Sequence, residues 1–426
     1  MWARKRLDIA WTDIAAGLAA SLLPASAVTR ARHAANLEAA AAPPAPSIAA
    51  VPPSANQALA CLSVRTGFDL LWRTLALPAG SEVIFSALTI HDMPRIAAEH
   101  GLLPVPADID LATLAPTRES LERARTPNTR ALVVAHLCGA RVDLTPAAEF
   151  ARAHNLLLIE DCAQAYDGPA YTGDPRALVS MFSFGTIKSA TAMGGAIFHV
   201  RDASLLETLR ARHAAYRPAG RFWYLSRLVK NSAMKALSVR PWYGLFIAAC
   251  RTLGKDYDKV INGSVRGFPG PEFFDRIRRQ PPDALLRLLT RRLTRYNTQR
   301  LATRAALGAR LAERIQPDWL CPAAASAHHN FWVFPVLSDN PPALLASLRQ
   351  AGFDATQGQS LCAVAAPAGR ENLTPNNAQR FLREVVFLPI YPELPPAAID
   401  RLADAILHTA HAPATPTGYN GPVLAG

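Results

Sequence analysis

Charged side chains are scarce in this 426-residue chain: Asp, Glu, Lys and Arg make up 18%, while 50% of the residues are hydrophobic. That balance excludes a mainly disordered polymer, which is rich in charge and poor in apolar residues. Cysteine is also rare. The six, at 61, 138, 162, 250, 321 and 362, form no C-x-x-C pair and have no zinc-like partners. A chain this large does not depend on a disulfide framework, so a reducing compartment and no bound metal are expected. No run of about 18 apolar residues exists, so no membrane-crossing helix is expected. Residues 1–27 mimic an export signal, but Asp8 and Asp13 interrupt the apolar part, and a cytoplasmic location is expected.

Acidic residues are nearly missing from one segment. The net charge is +12, yet residues 215–310 hold 20 basic and 5 acidic residues, leaving 25 and 28 for the rest of the chain. Such a block attracts phosphates, anionic lipid or nucleic acid, or serves as a solvated face. Within 216–259, Trp223, Tyr224, Leu228, Trp242, Tyr243 and Phe246 interleave with Arg221, Arg227, Lys230, Lys235, Arg240, Arg251 and Lys255. This mixture suits peripheral contact with a membrane surface. It equally suits a helical hairpin packed on a partner subunit. No zinc module or RNA-binding motif accompanies it, so nucleic acid is not an expected partner.

The chain reads as five parts. Residues 1–58 form an N-terminal arm ending in an Ala/Pro-rich linker. Residues 59–214 alternate short apolar runs with helix-like stretches. The runs Val83–Phe85, Ala131–Val134, Leu156–Ile159, Met181–Phe184 and Ala196–Phe198 are short and continuous, as strands buried on both faces are. With helices between them, such as 146–154, they predict an α/β layer fold with a largely parallel sheet. Residues 215–283 are the basic, aromatic-rich insertion. Residues 284–411 open with a long amphipathic helix carrying Leu286, Leu289, Leu293 and Tyr296. Strand-like 331–337, helical 341–351, strand-like 385–388 and helical 396–409 follow, predicting a smaller α+β domain. Residues 412–426 read as a frayed tail.

Two stretches carry chemistry. In 156–168, LLLIEDCAQAYDG, a buried strand runs into Glu160-Asp161, with Gln164 three residues on. A carboxylate at the carboxyl end of such a strand faces the ligand crevice of an open α/β sheet. Asp161 could equally cap the next helix. In 181–200, MFSFGTIKSATAMGGAIFHV, Ser183 ends a strand and Lys188 sits in a turn before Gly194-Gly195 and another strand. Burial favours the neutral form of a lysine, and a neutral lysine forms Schiff bases with aldehydes. The diglycine would let the backbone pass close to a ligand.

These stretches, with four more in the same order, resemble the DegT/DnrJ/EryC1/StrS family of sugar aminotransferases. GSEVIFSALT (80–89), GLLPVPADID (101–110), AHLCG (135–139), IEDCAQA (159–165), SFGTIK (183–188) and VVFLPIYPEL (385–394) carry the resemblance. It implies a fold type I pyridoxal-phosphate enzyme: a large domain with a mainly parallel seven-stranded sheet between helices, plus a smaller α+β C-terminal domain. It implies pyridoxal 5′-phosphate as cofactor, held by Lys188 as a Schiff base, with Asp161 on the ring nitrogen. Gln164 would contact the ring or its 3-oxygen. Ser183, Arg65 and Thr66, at the start of the helix after Ser63, would meet the phosphate. The reaction implied is transfer of an amino group from a donor, glutamate, to a keto sugar, nucleotide- or lipid-linked, by a homodimer.

The chain also departs from the family pattern. Ser63-Val64-Arg65-Thr66-Gly67 stands where the family has a small-residue turn. Ile90-His91 stands where an aromatic residue covers the cofactor ring, leaving His91 to stack there. The family's N-Y-R-M element is missing, with Asn262 or Arg266 as replacements, and His328-His329 precede a strand in the C-terminal domain. Two other readings therefore stay open: a lyase, dehydratase or epimerase using the same cofactor, and a catalytically degenerate homologue acting as a binding or membrane-associated module.

Overall fold

The computed structural model describes residues 1–42, 57–254, 257, 268, 270–316, 318–358 and 360–410. The short apolar runs become strands of one sheet because each is buried on both faces. Its strands are β1 (Ala58–Cys61), β2 (Glu82–Ser86), β4 (Leu103–Ala107), β5 (Thr129–Ala135), β6 (Leu157–Asp161), β7 (Val179–Ser183) and β8 (Ala196–Val200), while β3 (Leu88–Ile90) lies outside it. The order across the sheet is β1-β8-β7-β6-β5-β2-β4. The pairs from β7 through β4 are parallel, and β8 runs antiparallel to both β7 and β1. This is the mainly parallel seven-stranded sheet expected above.

Helices cover both faces. α1 (Trp11–Leu22) and α2 (Ala27–Ala41) come first, then α3 (Val64–Leu75), α4 (Asp92–Glu99), α5 (Arg118–Ala124), α6 (Thr145–Ala153) and α7 (Ala203–Ala214). α3 packs Phe68, Leu71 and Trp72 against Phe85 and Phe198 of the sheet, all buried. α5 and α6 bring Leu121, Phe150 and Ala151 onto Leu132 and Leu158. The part of the Ala-rich arm from 27 to 41 is a helix, not linker: Ser26 caps it by accepting the Thr29 N–H at 3.1 Å, and no proline falls between residues 27 and 42. The linker residues 43–56 and the tail 411–426 lie outside the described residues.

The basic segment supplies α8 (Arg221–Leu237) and α9 (Arg240–Thr252), and α10 (Phe273–Ile277) closes it. Tyr224 and Leu228 of α8 are buried in the large domain, while Phe222, Trp242 and Leu245 face outward at 64%, 59% and 60% exposure. Asn262 and Arg266 lie outside the described residues. The long amphipathic stretch from 284 is two helices, α11 (Asp283–Thr294) and α12 (Gln299–Ile315). The break falls at Asn297, whose side-chain oxygen accepts the Gln299 N–H and so favours a turn over continued helix. α11 packs on α1 and α2; α12 belongs to the C-terminal domain. That domain pairs strands Phe334–Leu337 and Val385–Leu388 antiparallel, with helices Pro341–Gln350 and Pro396–Ala410. Among the described residues, no helix is long and apolar enough to cross a membrane.

The two acids that interrupt the signal-like start are structural. Asp13 of α1 accepts from Arg291 and Arg292 of α11, both at 2.7 Å. Asp8 accepts from Arg300 at 2.8 Å, from the Tyr296 hydroxyl at 2.6 Å and from Ala190 N–H at 2.8 Å. Upstream, Trp2 exchanges backbone hydrogen bonds with Gly352 and Asp354, and Arg4 pairs with the buried Asp354 carboxylate. Residues 1–9 therefore bind the large domain at one end and the C-terminal domain at the other.

Candidate active site

The carboxyl end of β6 delivers Asp161. Its neighbour Glu160 fixes the strand end through a buried network: Glu160 accepts from the Tyr171 hydroxyl at 2.8 Å, Ser180 Oγ at 2.5 Å and Asp174 N–H at 2.8 Å, and lies 2.7 Å from His136 Nε2. Burial alone would raise the Glu160 carboxyl, but hydrogen bonds from His136, Ser180 and Tyr171, with the His136 charge, hold it down at about 2. The His136 N–H also donates to the Asp161 carbonyl at 3.0 Å. The ends of β5, β6 and β7 are thus tied together, and Asp161 is aimed by its neighbours.

Asp161 is buried and accepts the Ala163 N–H at 2.9 Å. Burial pushes its carboxyl up, against the pull of that hydrogen bond and of Lys188, His136 and Arg65.

Lys188 projects from the turn between β7 and β8. That turn is anchored by Lys188 N–H to Gly185 O at 3.0 Å, Thr191 Oγ1 to Gly185 O at 2.7 Å, and Tyr224 Oη to Ala192 O at 2.6 Å. Arg227 of α8 also donates to the Met193 carbonyl. Gly195, the second residue of the diglycine, has a packing reason. Gly195 has φ +89°, and a Cβ there would meet Leu289 of α11 at 2.8 Å. Burial brings the Lys188 amine down to about 8, and the nearby Arg65 charge adds to that, while Asp161 opposes it. Its Nζ lies 4.1 Å from the centroid of the Trp332 ring. Among the described residues it has no carboxylate at ion-pair distance. The amine and Asp161 feel each other across a gap without closing into a salt bridge.

The other expected residues divide into two sets. Arg65 is electrostatically coupled to both Lys188 and Asp161, and its guanidinium donates to Asp92. Gln164 is held by the Cys138 N–H, which its side-chain oxygen accepts at 3.0 Å. Thr66 is buried in the first turn of α3, where its N–H donates to the Ser63 cap at 3.2 Å. Ser183 ends β7 and accepts the Gly185 N–H at 3.4 Å. His91 stands apart. It is exposed at the start of α4 and, among the described residues, makes no hydrogen bond or ion pair with the others. Of the two C-terminal histidines, His328 is exposed, while His329 stacks on Phe331 with ring centroids 3.8 Å apart.

Sequence reasoning passed over Trp332, Lys5 and Arg304. Trp332 donates its indole N–H to Ile187 O at 2.8 Å and so braces the Lys188 turn. Lys5 places its Nζ 3.5 Å from the same ring. Arg304 of α12 donates to Ser189 Oγ at 3.0 Å and to Asn330 O at 2.6 Å. An aromatic in the run NFWVF was the one available signal for Trp332.

A mainly parallel seven-stranded sheet that gathers a buried lysine and a buried carboxylate at its strand ends, beside a smaller α+β unit, is the architecture of fold type I pyridoxal-phosphate enzymes. A solved sugar aminotransferase of Micromonospora echinospora superposes with a TM-score of 0.65, covering 95% of this chain and 99% of that one at 19% identity. Residues 53–238 match the model of the DegT/DnrJ/EryC1/StrS aminotransferase family. A GDP-perosamine synthase of Caulobacter vibrioides is 33% identical over 173 residues, 40% of this chain and 46% of that protein. A dTDP-4-dehydro-2,3,6-trideoxy-D-glucose 4-aminotransferase of Saccharopolyspora spinosa is 25% identical over 336 residues, 78% of this chain and 79% of that protein. The match to the first of these relatives thus spans less than half of its length.

Proposed function

We propose that this chain is a pyridoxal-phosphate-dependent aminotransferase that moves an amino group from glutamate to a keto sugar carried on a nucleotide. The observation that carries the reading is the Lys188–Asp161 pair: a buried amine brought near neutrality, facing a carboxylate it does not neutralise. That donor set fits pyridoxal 5′-phosphate. A neutral amine can hold the aldehyde, and a carboxylate free of other salt bridges can pair with the ring nitrogen. The first turn of α3, with Arg65 and Thr66, and Ser183 at the end of β7 suit a phosphate. When bound, this cofactor supplies an electron sink for the bond being broken at the donor's α-carbon.

The chain's own residues do the rest. Lys188 holds the cofactor between turnovers, then, as a free amine, moves the proton of the donor's α-carbon. Asp161 keeps the ring nitrogen protonated, and its orientation is fixed from below by the Glu160 network. Gln164, turned by the Cys138 N–H, offers its amide to the ring or its 3-oxygen. The relatives' names, with their GDP- and dTDP-linked sugars, support a nucleotide-linked acceptor.

The test is spectroscopic. Apoprotein mixed with pyridoxal 5′-phosphate should turn yellow, and L-glutamate should then bleach that band. Since the neutral amine is the reactive form, uptake should slow about tenfold per pH unit below about 8 and level off above it. Colour that glutamate leaves unchanged supports a lyase or epimerase instead; no colour at all supports a non-catalytic homologue.

A homodimer is the assembly we propose, since this fold commonly builds its sites between subunits. We also propose that the α8–α9 face rests on an anionic membrane surface, at the inner face of the cytoplasmic membrane. Phe222, Trp242 and Leu245 face outward there. Arg221, Lys230 and Arg240 are exposed there, and from Arg221 to Thr252 the sequence has no acidic residue. A two-fold contact of this face with itself would oppose like charges, whereas anionic lipid complements them. The protein should float with vesicles containing anionic lipid and be released by salt. Failure to float at low salt ends this proposal and leaves the aminotransferase reading untouched.

A further inference from the structure

We infer that Lys5, with Arg304 beside it, binds the α-carboxylate of the amino donor. The inference rests on Lys188 being the cofactor lysine. Residues 1–9 are fixed at both ends, by Trp2 on the C-terminal domain and by Asp8 on the Lys188 turn. Lys5 lies between these anchors. Its Nζ is 3.5 Å from the centroid of the Trp332 ring, and Lys188 Nζ is 4.1 Å from that same point. The two amines can be no farther apart than those distances added together.

Neither Lys5 nor Arg304 has a carboxylate partner among the described residues. Lys5 donates to the Trp332 carbonyl at 3.1 Å. Arg304, 5% exposed, donates to Asn330 O, Asn330 Oδ1 and Ser189 Oγ. Both line a small, solvent-open depression that also reaches Lys188. Asp8 is the one acid in its lining, and it is occupied by Arg300, Tyr296 and Ala190. Burial, with the Arg304 and Lys188 charges, drives the Lys5 amine well below its ordinary value. Buried cations without a counter-charge are unfavourable, and a hydrogen-bonded anion relieves that.

The chemistry of the donor says which anion. In an amino acid the α-carboxylate and the reacting nitrogen hang on one carbon, so when the nitrogen reaches Lys188's position the carboxylate lies within a few ångströms of it. Lys5 and Lys188 both lie against the Trp332 ring and line the same depression. The diphosphate of a nucleotide-linked acceptor sits beyond the sugar ring from the reacting carbon and falls farther out.

The experiment uses the full-length, cofactor-loaded protein with Lys5→Met, which keeps the stem over Trp332. The absorbance band and its borohydride trapping should persist. In the half-reaction with L-glutamate, the apparent Kd should rise about 30-fold, or about 2 kcal/mol, and Lys5→Arg should recover part of it. On the unmodified protein, the α-amide of glutamate should bind about 30-fold more weakly than glutamate, and Lys5→Met should add no further penalty with it. The comparison of amide with glutamate on the unmodified protein needs no folded variant. A Kd for glutamate within about twofold of the unmodified protein's would overturn the inference. So would a loss confined to the KM of the keto acceptor, which would assign Lys5 to the acceptor's anion. If the unmodified protein neither colours nor traps cofactor, the reading of Lys188 fails first, before any donor is added.

Discussion

Lys188→Ala should lower turnover by about a hundredfold to ten-thousandfold, the range lost when a positioned proton-transfer group is removed. It should also abolish borohydride-trappable cofactor. The variant removes an amine that is buried, without a salt bridge among the described residues, and brought down to about 8. The fold should survive, because the turn is held by backbone bonds and by Thr191, Tyr224 and Arg227 rather than by the lysine side chain. Circular dichroism and mass spectrometry of the borohydride-treated protein together give the answer. Trapping that persists in a folded alanine variant moves the covalent link to another amine; Lys5 would be the first to inspect.

The second large effect belongs to Asp161→Asn. Asparagine keeps the acceptor for the Ala163 N–H but cannot hold a proton on a ring nitrogen, so turnover should fall by about a hundredfold to a thousandfold. Cofactor should still be trapped on Lys188. The amine itself should shift as well. Asp161 favours its charged form, so removing that carboxylate should move the midpoint of cofactor uptake below its value of about 8. Turnover within about threefold of the parent's would take Asp161 out of the mechanism.

The sheet was legible because β5, β6 and β7 are buried on both faces and so read as unbroken apolar runs. The Lys188 and Asp161 stretches were legible for the same reason: each is the polar end of such a run. α2 was hidden because an alanine-rich, weakly amphipathic helix followed by prolines has the composition of a linker. The division at Asn297 was hidden because apolar spacing continues up to Tyr296, and one side-chain bond to Gln299 decides the turn. Lys5 left no local trace. Its meaning comes from Trp332 and Arg304, about three hundred residues away, and no window of sequence brings them together.

That separation has a consequence for biosynthesis. Arg4 and Asp354 are 350 residues apart, and Trp2 bonds to Gly352. Residues 2–4 therefore wait for residues 352–354 to be synthesised before they can dock. At about 5–20 residues per second, that wait lasts tens of seconds. Until then the parallel sheet can form, but the wall carrying Lys5 is missing. Nascent chains should thus form the strand ends that carry Lys188 and Asp161 before Trp332 and Lys5 are in place beside them.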